Sequence, residues 1–346
     1  VLYHALATIE KGAVGNHAIA ITNEVKRRGI SIEMFAETIR EEYQGEVSYI
    51  DELEAKLSEE DVVLYQFANP SIMADLLYEK PCKLIVNYHN VTPARYFSKW
   101  DSSSSQIIAR AQLQLARLSE VAHSAIAVSG YNAQELIELG YKNVSVIPPV
   151  FSSLFYESEI GKRNYDHAHW LYVGRISPHK NINILLRAFD YYRNHIDKDS
   201  KLTIVGYSDS PTYGTAINEL IQEREFGDSL CIVTNASEID LVDIYKQATV
   251  FVTASEHEGF CVPLVEAMSV ELPVVAISRA AIADTVSSAG IVLEDTNYIS
   301  IAHAVEALHN NEDLRADIIS KGKVRAAHFD PTNSAVNYAQ YLESVV

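Results

Sequence analysis

Two carboxylates, Glu258 and Glu266, bracket the stretch Glu258-Gly259-Phe260-Cys261-Val262-Pro263-Leu264-Val265-Glu266-Ala267-Met268. Pro suits a helix's first turn, so a short loop here feeds a helix that begins near Val262-Pro263. The free amides of that N-terminus favour an anion. Glu266 then lies about two turns into the helix, and the two carboxylates can serve different parts of one extended ligand. Taken alone, this spacing is more often a surface loop with two solvated glutamates. A second stretch, Val173-Gly174-Arg175-Ile176-Ser177-Pro178-His179-Lys180-Asn181, sets Gly, Arg and Lys at a strand-to-helix turn. Gly174 lets backbone approach a phosphate, Arg175 offers a fork of donors and Lys180 a point charge. A solvated basic turn reads equally well from this stretch alone. Gly12-Ala13-Val14-Gly15 permits a tight turn with close approach of a ligand to backbone amides, a weak signal that also fits a plain strand–helix turn. Tyr88-His89-Asn90 places a histidine just past a strand end.

The elements that must position these residues alternate. Strand-like runs cover Val1–Leu6, Ser31–Phe35, Val62–Gln66, Lys83–Tyr88, Ser124–Val128 and Val144–Ile147, with amphipathic stretches such as His17–Arg28 and Asn132–Leu139 between them. Gly29 and Gly140 stand where helix C-caps are expected. After Pro148-Pro149 the alternation breaks, then restarts with Trp170–Val173, Lys201–Val205, Leu230–Val233, Val250–Ala254, Val274–Ala276 and Gly290–Leu293. The fold class expected is α/β, with two doubly wound, Rossmann-like domains facing a cleft. The boundaries are a first domain over 1–149, a linker over 150–168 and a second domain over 169–332. The helical pattern at 333–346 would dock back on the first domain.

Composition limits the function. The chain has 346 residues, 48% of them hydrophobic, and its 28 basic and 46 acidic residues leave a net charge of −18. That excludes a disordered chain and disfavours a nucleic-acid binder. No apolar run is long enough for a transmembrane helix, and Val1–Leu6 reads as a strand rather than a signal peptide. Cys82, Cys231 and Cys261 are scattered and fit a reducing compartment with no disulfide framework or zinc site.

Taken together, the four stretches resemble the family-four glycosyltransferases, a large retaining group with the GT-B fold. The resemblance rests on Gly174-Arg175 with Lys180-Asn181, on Glu258 through Met268, and on Pro273-Val274-Val275. Val128-Ser129 with Val146-Ile147-Pro148 is similar to the family's first-domain ending. Tyr88-His89-Asn90-Val91-Thr92-Pro93 resembles a bacterial and archaeal subgroup. The family usually has Gly where Cys261 and Glu271 stand, and often Gly-Gly where Ala13 replaces one.

The resemblance implies transfer of a hexose from a nucleotide diphosphate sugar, with UDP-glucose favoured over GDP-mannose, to a saccharide or lipid-linked acceptor. It implies His89, Glu258, Arg175 and Lys180 as catalytic residues. Gly15, Gly174, Arg175, Lys180, Thr234, Asn235, Glu258, Gly259, Phe260, Cys261, Val262 and Glu266 would bind the donor, with Glu266 on the ribose. No metal or cofactor is implied, and Asp197-Lys198-Asp199 reads as a solvated loop. The acceptor would be set by Tyr96–Arg117, where Arg95, Lys99, Arg110 and Arg117 either face a phosphate-bearing lipid carrier or are solvated. No nucleic-acid partner is expected, and the oligomeric state is open. Polysaccharide or lipopolysaccharide assembly in the cytoplasm, with peripheral contact at the inner membrane face, is the setting. The competing readings are a nucleotide-sugar 2-epimerase and a non-catalytic nucleotide-sugar-binding protein. A dehydrogenase is disfavoured because no full dinucleotide motif follows Val1–Leu6.

Overall fold

The computed structural model describes residues 1–10 and 12–346. The chain forms two compact units: Val1–Arg95, Ser103–Phe151 and Pro331–Val346 make the first, Tyr96–Ser102 and Ser152–Asp330 the second.

The first unit's strands are β1 (Leu2–Ile9), β2 (Ile32–Ile39), β3 (Ser48–Tyr49), β4 (Val62–Phe67), β5 (Lys83–Tyr88), β6 (Ser124–Ala127) and β7 (Val144–Val146). They form one parallel sheet in the order β3-β2-β1-β4-β5-β6-β7. β4 is buried throughout, the signature of a strand covered on both faces. The helix Ala13–Arg27 follows β1, and Gly29, at φ 82°, receives the left-handed turn behind it. The helix Pro331–Glu343 returns to this unit. Its Tyr338, Ala339 and Leu342 are fully buried beside Leu2, Ile21 and Val25. Glu343 reaches Arg28 at 3.2 Å.

The second unit's strands are β8 (His169–Val173), β9 (Lys201–Val205), β10 (Leu230–Val233), β11 (Val250–Thr253), β12 (Val274–Ile277) and β13 (Ile291–Leu293). Their order is β10-β9-β8-β11-β12-β13, again parallel. Its core gathers Trp170, Tyr172, Leu185, Phe189 and Ile204. In both sheets the order reverses once, between β1 and β4 and between β8 and β11, and ligands of such folds bind outside the strand C-termini at that reversal.

Two segments depart from the sequence expectation. The stretch read as a linker is structured from Ser152 onward as part of the second unit, with a short helix at Leu154–Glu157. Phe155 packs edge-on against Tyr245 at 5.2 Å. The Arg163 guanidinium donates to the carbonyls of Ala248, Tyr245, Val270 and Glu271. These carbonyls end the helices Glu238–Gln247 and Val262–Ser269, where a cation is favoured. Arg163 thus ties two helix ends together, a pairing that lies too far along the chain to be read locally. Tyr96–Ser102, assigned from sequence to the first domain, belongs instead to the second unit, where Trp100 packs on Tyr213 at 4.9 Å.

Candidate active site

β8 ends at Val173, and the chain turns through Gly174 and Arg175 into the short 3-10 turn Pro178–Lys180. Asn181, at φ 57°, opens the helix Ile182–His195. A glycine is required close by: a Cβ on Gly206, just after β9, would lie 2.0 Å from the Gly174 carbonyl oxygen. The loops following β8 and β9 therefore press backbone against backbone.

Across the strand-order reversal, β11 leads through Glu256 and His257 to Glu258. Lys180 Nζ donates to Glu258 Oε1 at 2.6 Å, with both side chains largely enclosed. The two strongest stretches of the sequence thus meet at the C-terminal ends of neighbouring strands β8 and β11. Arg175 is placed on the same turn but is mostly exposed, and it pairs with Asp209 at 2.7 Å. Asn181 reaches Glu256 at 3.4 Å, and the His179 carbonyl accepts from the Glu256 amide at 2.8 Å, so the two loops are also stitched through backbone. Burial, with Lys180 and Arg175 nearby, holds the His179 imidazole far below its ordinary range and therefore neutral.

Gly259 and Phe260 are buried. The Phe260 carbonyl accepts from the Thr285 hydroxyl at 2.7 Å, and its ring meets Phe329 edge-on at 5.0 Å. Cys261, half-buried, caps the helix Val262–Ser269 with φ 67° and offers no side-chain cap. That left-handed backbone explains why a glycine is natural there. Glu271 sits at φ 58° just past the same helix. Its amide bonds Met268 O at 3.2 Å and the Leu272 amide bonds Ala267 O at 2.8 Å. These two bonds make a Schellman ending on a non-glycine residue. Glu266 is buried in the second turn and accepts from the Tyr245 hydroxyl at 2.7 Å. Burial pushes its carboxyl up to about 7, and Tyr245 only partly opposes this.

The other sequence candidates are dispersed. Thr234 and Asn235 are exposed just beyond the edge strand β10. Gly15 lies inside the helix Ala13–Arg27 rather than in a loop, and a Cβ there would fall 2.0 Å from the Glu10 carbonyl oxygen. Close backbone packing alone requires that glycine. In the first unit His89 follows β5, half-buried, with its Nε2 on the Gln66 side chain. Burial pulls its imidazole down to about 4.

Asp197 is tied rather than solvated. It accepts from the Ala168 amide at 3.0 Å and the Asp199 amide at 3.1 Å, and lies 3.0 Å from His167 Nδ1. His167, Asp197 and Asp199 are close enough to share a cation. They stand before β8 and β9, at the opposite end of the sheet from Lys180 and Glu258. Of the basic residues on Tyr96–Arg117, Arg110 and Arg117 converge on Asp75 at 2.8 and 3.6 Å. Lys99 belongs to the second unit and Arg95 to the first.

Sequence reasoning missed Asp209, Tyr245 and Gln66. Asp209 carried a readable signal, an acidic residue shortly after a strand C-terminus. Tyr245 and Gln66 carried none, because each is an ordinary buried position on its own element.

Residues 157–325 match the sequence profile of the family described as glycosyl transferases group 1. The O-antigen chain mannosyltransferase B of Escherichia coli is 27% identical over 164 residues, covering 47% of this chain and 42% of that protein. The capsular polysaccharide biosynthesis glycosyltransferase CapM of Staphylococcus aureus is 28% identical over 156 residues, 44% of this chain and 40% of that one. The aligned region thus spans about two fifths of either relative. Among solved structures, Anabaena HepE in complex with UDP-glucose superimposes with a TM-score of 0.80 at 15% identity, covering 99% of both chains. At that identity the likeness concerns the fold. The chain therefore has the two-domain α/β fold of the GT-B glycosyltransferases, and its residues 157–325 carry the match to glycosyl transferases group 1.

Proposed function

We propose that this chain is a retaining, metal-independent glycosyltransferase. It would move a hexose from a nucleotide diphosphate sugar, UDP-glucose foremost, to a saccharide or lipid-linked acceptor in polysaccharide or lipopolysaccharide assembly. The observation that carries this reading is the Lys180–Glu258 contact at 2.6 Å, held where β8 and β11 reverse the strand order. Lys180 meets the diphosphate, Arg175 supplies a second cation, and the N-terminus of Val262–Ser269 adds its dipole. Breaking the anomeric C–O bond leaves the electron pair on the diphosphate and positive charge on the sugar. Preorganised groups aimed at such developing charge are worth about 3–4 kcal/mol each.

Before donor arrives, Glu258 neutralises Lys180, so no buried cation stands unpaired. When Lys180 turns to phosphate, the freed Glu258 carboxylate faces the sugar's positive charge. Glu266 takes the ribose hydroxyls, and Thr234, Asn235 and the backbone of Gly15, Gly174 and Gly259–Val262 line the nucleotide. We assign His89 a hydrogen bond to the transferred sugar. Support for this chemistry comes from the group 1 profile and from HepE, whose structure holds UDP-glucose. The helix Ser102–Leu118 exposes Ile107 and Leu113 near Arg110, which suits a lipid-linked acceptor. No helix among the described residues is long and apolar enough to cross a membrane. The Escherichia coli mannosyltransferase favours mannose as the second donor reading.

The test is to screen UDP, GDP and ADP sugars by thermal shift, then follow hydrolysis and transfer by NMR. Transfer with the donor's anomeric configuration kept, surviving excess EDTA within about twofold, is expected. Inverted product, or abolition by EDTA with rescue by Mn²⁺, refutes the mechanism. Tight binding without turnover of any sugar nucleotide refutes the enzyme.

A further inference from the structure

A chain of buried side chains in the first unit joins Val150 to His89. The Val150 amide donates to His17 Nδ1 at 2.9 Å. A backbone N–H can only donate, so Nδ1 carries no proton. The amide of Asn87 lies 2.9 Å from His17 Nε2. If its nitrogen faced the ring, His17 would accept at both nitrogens, and an imidazole with no proton is an anion that a wholly enclosed site excludes. His17 therefore keeps its proton on Nε2 and donates it to the Asn87 oxygen. Amide oxygen and nitrogen are assigned by such networks, and the remaining bonds follow one by one.

The Asn87 oxygen, 2.7 Å from the Gln66 amide, requires the Gln66 nitrogen to face it. That same nitrogen faces His89 Nε2, which must accept. The Gln66 oxygen then accepts from His4 Nε2 at 2.6 Å, and His4 Nδ1 accepts from the Thr22 hydroxyl at 2.8 Å. Tyr338 supplies an independent check. Its hydroxyl lies 3.2 Å from the other Asn87 terminal atom and 3.1 Å from the Ile147 carbonyl. One hydroxyl proton cannot serve two oxygens. With the Asn87 nitrogen on that side, Tyr338 accepts from Asn87 and donates to Ile147, and each contact of the chain pairs one donor with one acceptor.

We infer that the hydrogen-bond chain Val150–His17–Asn87–Gln66 runs in one direction and fixes His89 as the neutral Nδ1–H form, so that His89 offers a ligand a hydrogen-bond donor and never a general base. His17, Asn87, Gln66 and Tyr338 are its positioning residues. His89 Nδ1 meets no partner among the described residues, which leaves that N–H for an oxygen of a bound ligand. Only the identity of that ligand, a sugar hydroxyl, rests on the function proposed above.

Long-range proton–nitrogen NMR of imidazole-labelled protein at pH 7 reads each tautomer without turnover. Expected are His17 and His4 protonated on Nε2 and His89 on Nδ1; His89 protonated on Nε2 overturns the inference. The ligand half is tested on transfer. In His89→Asn the side-chain amide nitrogen takes the place of Nδ1, so a tenth or more of wild-type kcat is expected. In His89→Gln and His89→Ala, losses of about a hundredfold are expected. Equal loss in His89→Asn and His89→Ala overturns the donor role. Wild-type transfer by His89→Ala refutes the sugar assignment alone, since the tautomers are read separately.

Discussion

At the C-terminal edge of its sheet the second unit keeps full charges in contact, Lys180 on Glu258 and Arg175 on Asp209. Inside the first unit, on the same strand order, His4, Gln66, Asn87, His17 and His89 form a chain in which burial keeps all three imidazoles neutral. The topology is shared, so the difference lies in the side chains that each unit sets around it. On the function proposed above, cations beside a strand-order reversal would answer a polyanion, and moving them would cost one ion pair. A chain of neutral donors and acceptors would answer hydroxyl groups, and it is exacting because one wrong proton leaves several buried partners unsatisfied.

The largest effect that sharpens this contrast is acid. A histidine held below its free value stabilises the fold above pH about 6.5 and loses that stability as pH falls toward the folded value. Three such residues take up three protons on unfolding, a slope approaching about 4 kcal/mol per pH unit in the window between roughly pH 6 and pH 4. His169, His179 and His309 pull the second unit the same way, and a raised carboxyl opposes in each unit, Glu135 in the first and Glu266 in the second. The first unit leads because burial lowers all three of its imidazoles far, while His169 and His309 are only partly buried. Hydrogen exchange at pH 5 against pH 7 should therefore show β1, β4 and β5 opening before β8 and β11; the reverse order breaks the comparison.

Next is Glu258→Gln. It should lower kcat by about a hundredfold or more, roughly 3–4 kcal/mol. Because the change frees Lys180, affinity for bare nucleoside diphosphate should hold or rise. Titration showing a lost affinity with normal kcat would place Glu258 on the nucleotide instead.

Glu266 gives a smaller, pH-dependent effect. Its carboxyl titrates near 7, and only the ionised form accepts two ribose hydroxyls. Nucleotide affinity should rise about tenfold from pH 6 to pH 8, and Glu266→Gln should flatten that rise. A pH-independent wild type removes Glu266 from the ribose.

Smallest is backbone strain. Cys261→Gly and Glu271→Gly each relieve a left-handed residue, worth about 1 kcal/mol before the added freedom of the unfolded chain is subtracted. Thermal melts should show small gains for both. A loss in Cys261→Gly alone would mean that its half-buried side chain packs better than its backbone suffers.

The sheets were legible because parallel strands buried on both faces read as apolar runs, and Lys83–Tyr88 and Lys201–Val205 match residue for residue. The edge strand Leu230–Val233 matches too, on its apolar composition alone, since Cys231 and Ile232 are exposed. β1 and β2 extend to Ile9 and Ile39 through Thr8, Glu37 and Thr38, where polarity hid the ends, and the two-residue β3 is too short for any pattern. The meeting of Lys180 and Glu258 was legible because a strand–turn–helix concentrates charged residues in a short run, and each of the two runs sits at a strand C-terminus. Asp209, Tyr245, Arg163, Gln66 and Asn87 were not, since each acts through a partner dozens of residues away or on another element. Tyr96–Ser102 was misplaced because nothing local marks which sheet a loop packs on.

The returning helix Pro331–Glu343 has a consequence for synthesis. The first unit's chain is otherwise complete at Phe151, yet Tyr338, Ala339 and Leu342 must arrive before Leu2, Ile21 and Val25 are covered. At about 5–20 residues per second, a ribosome needs on the order of 10–40 s to reach them. During that time the nascent first unit carries an open apolar face and lacks the hydroxyl that completes the chain leading to His89. Chaperone binding should concentrate in that interval, and the second unit, with its strands emerging meanwhile, should be the first to close.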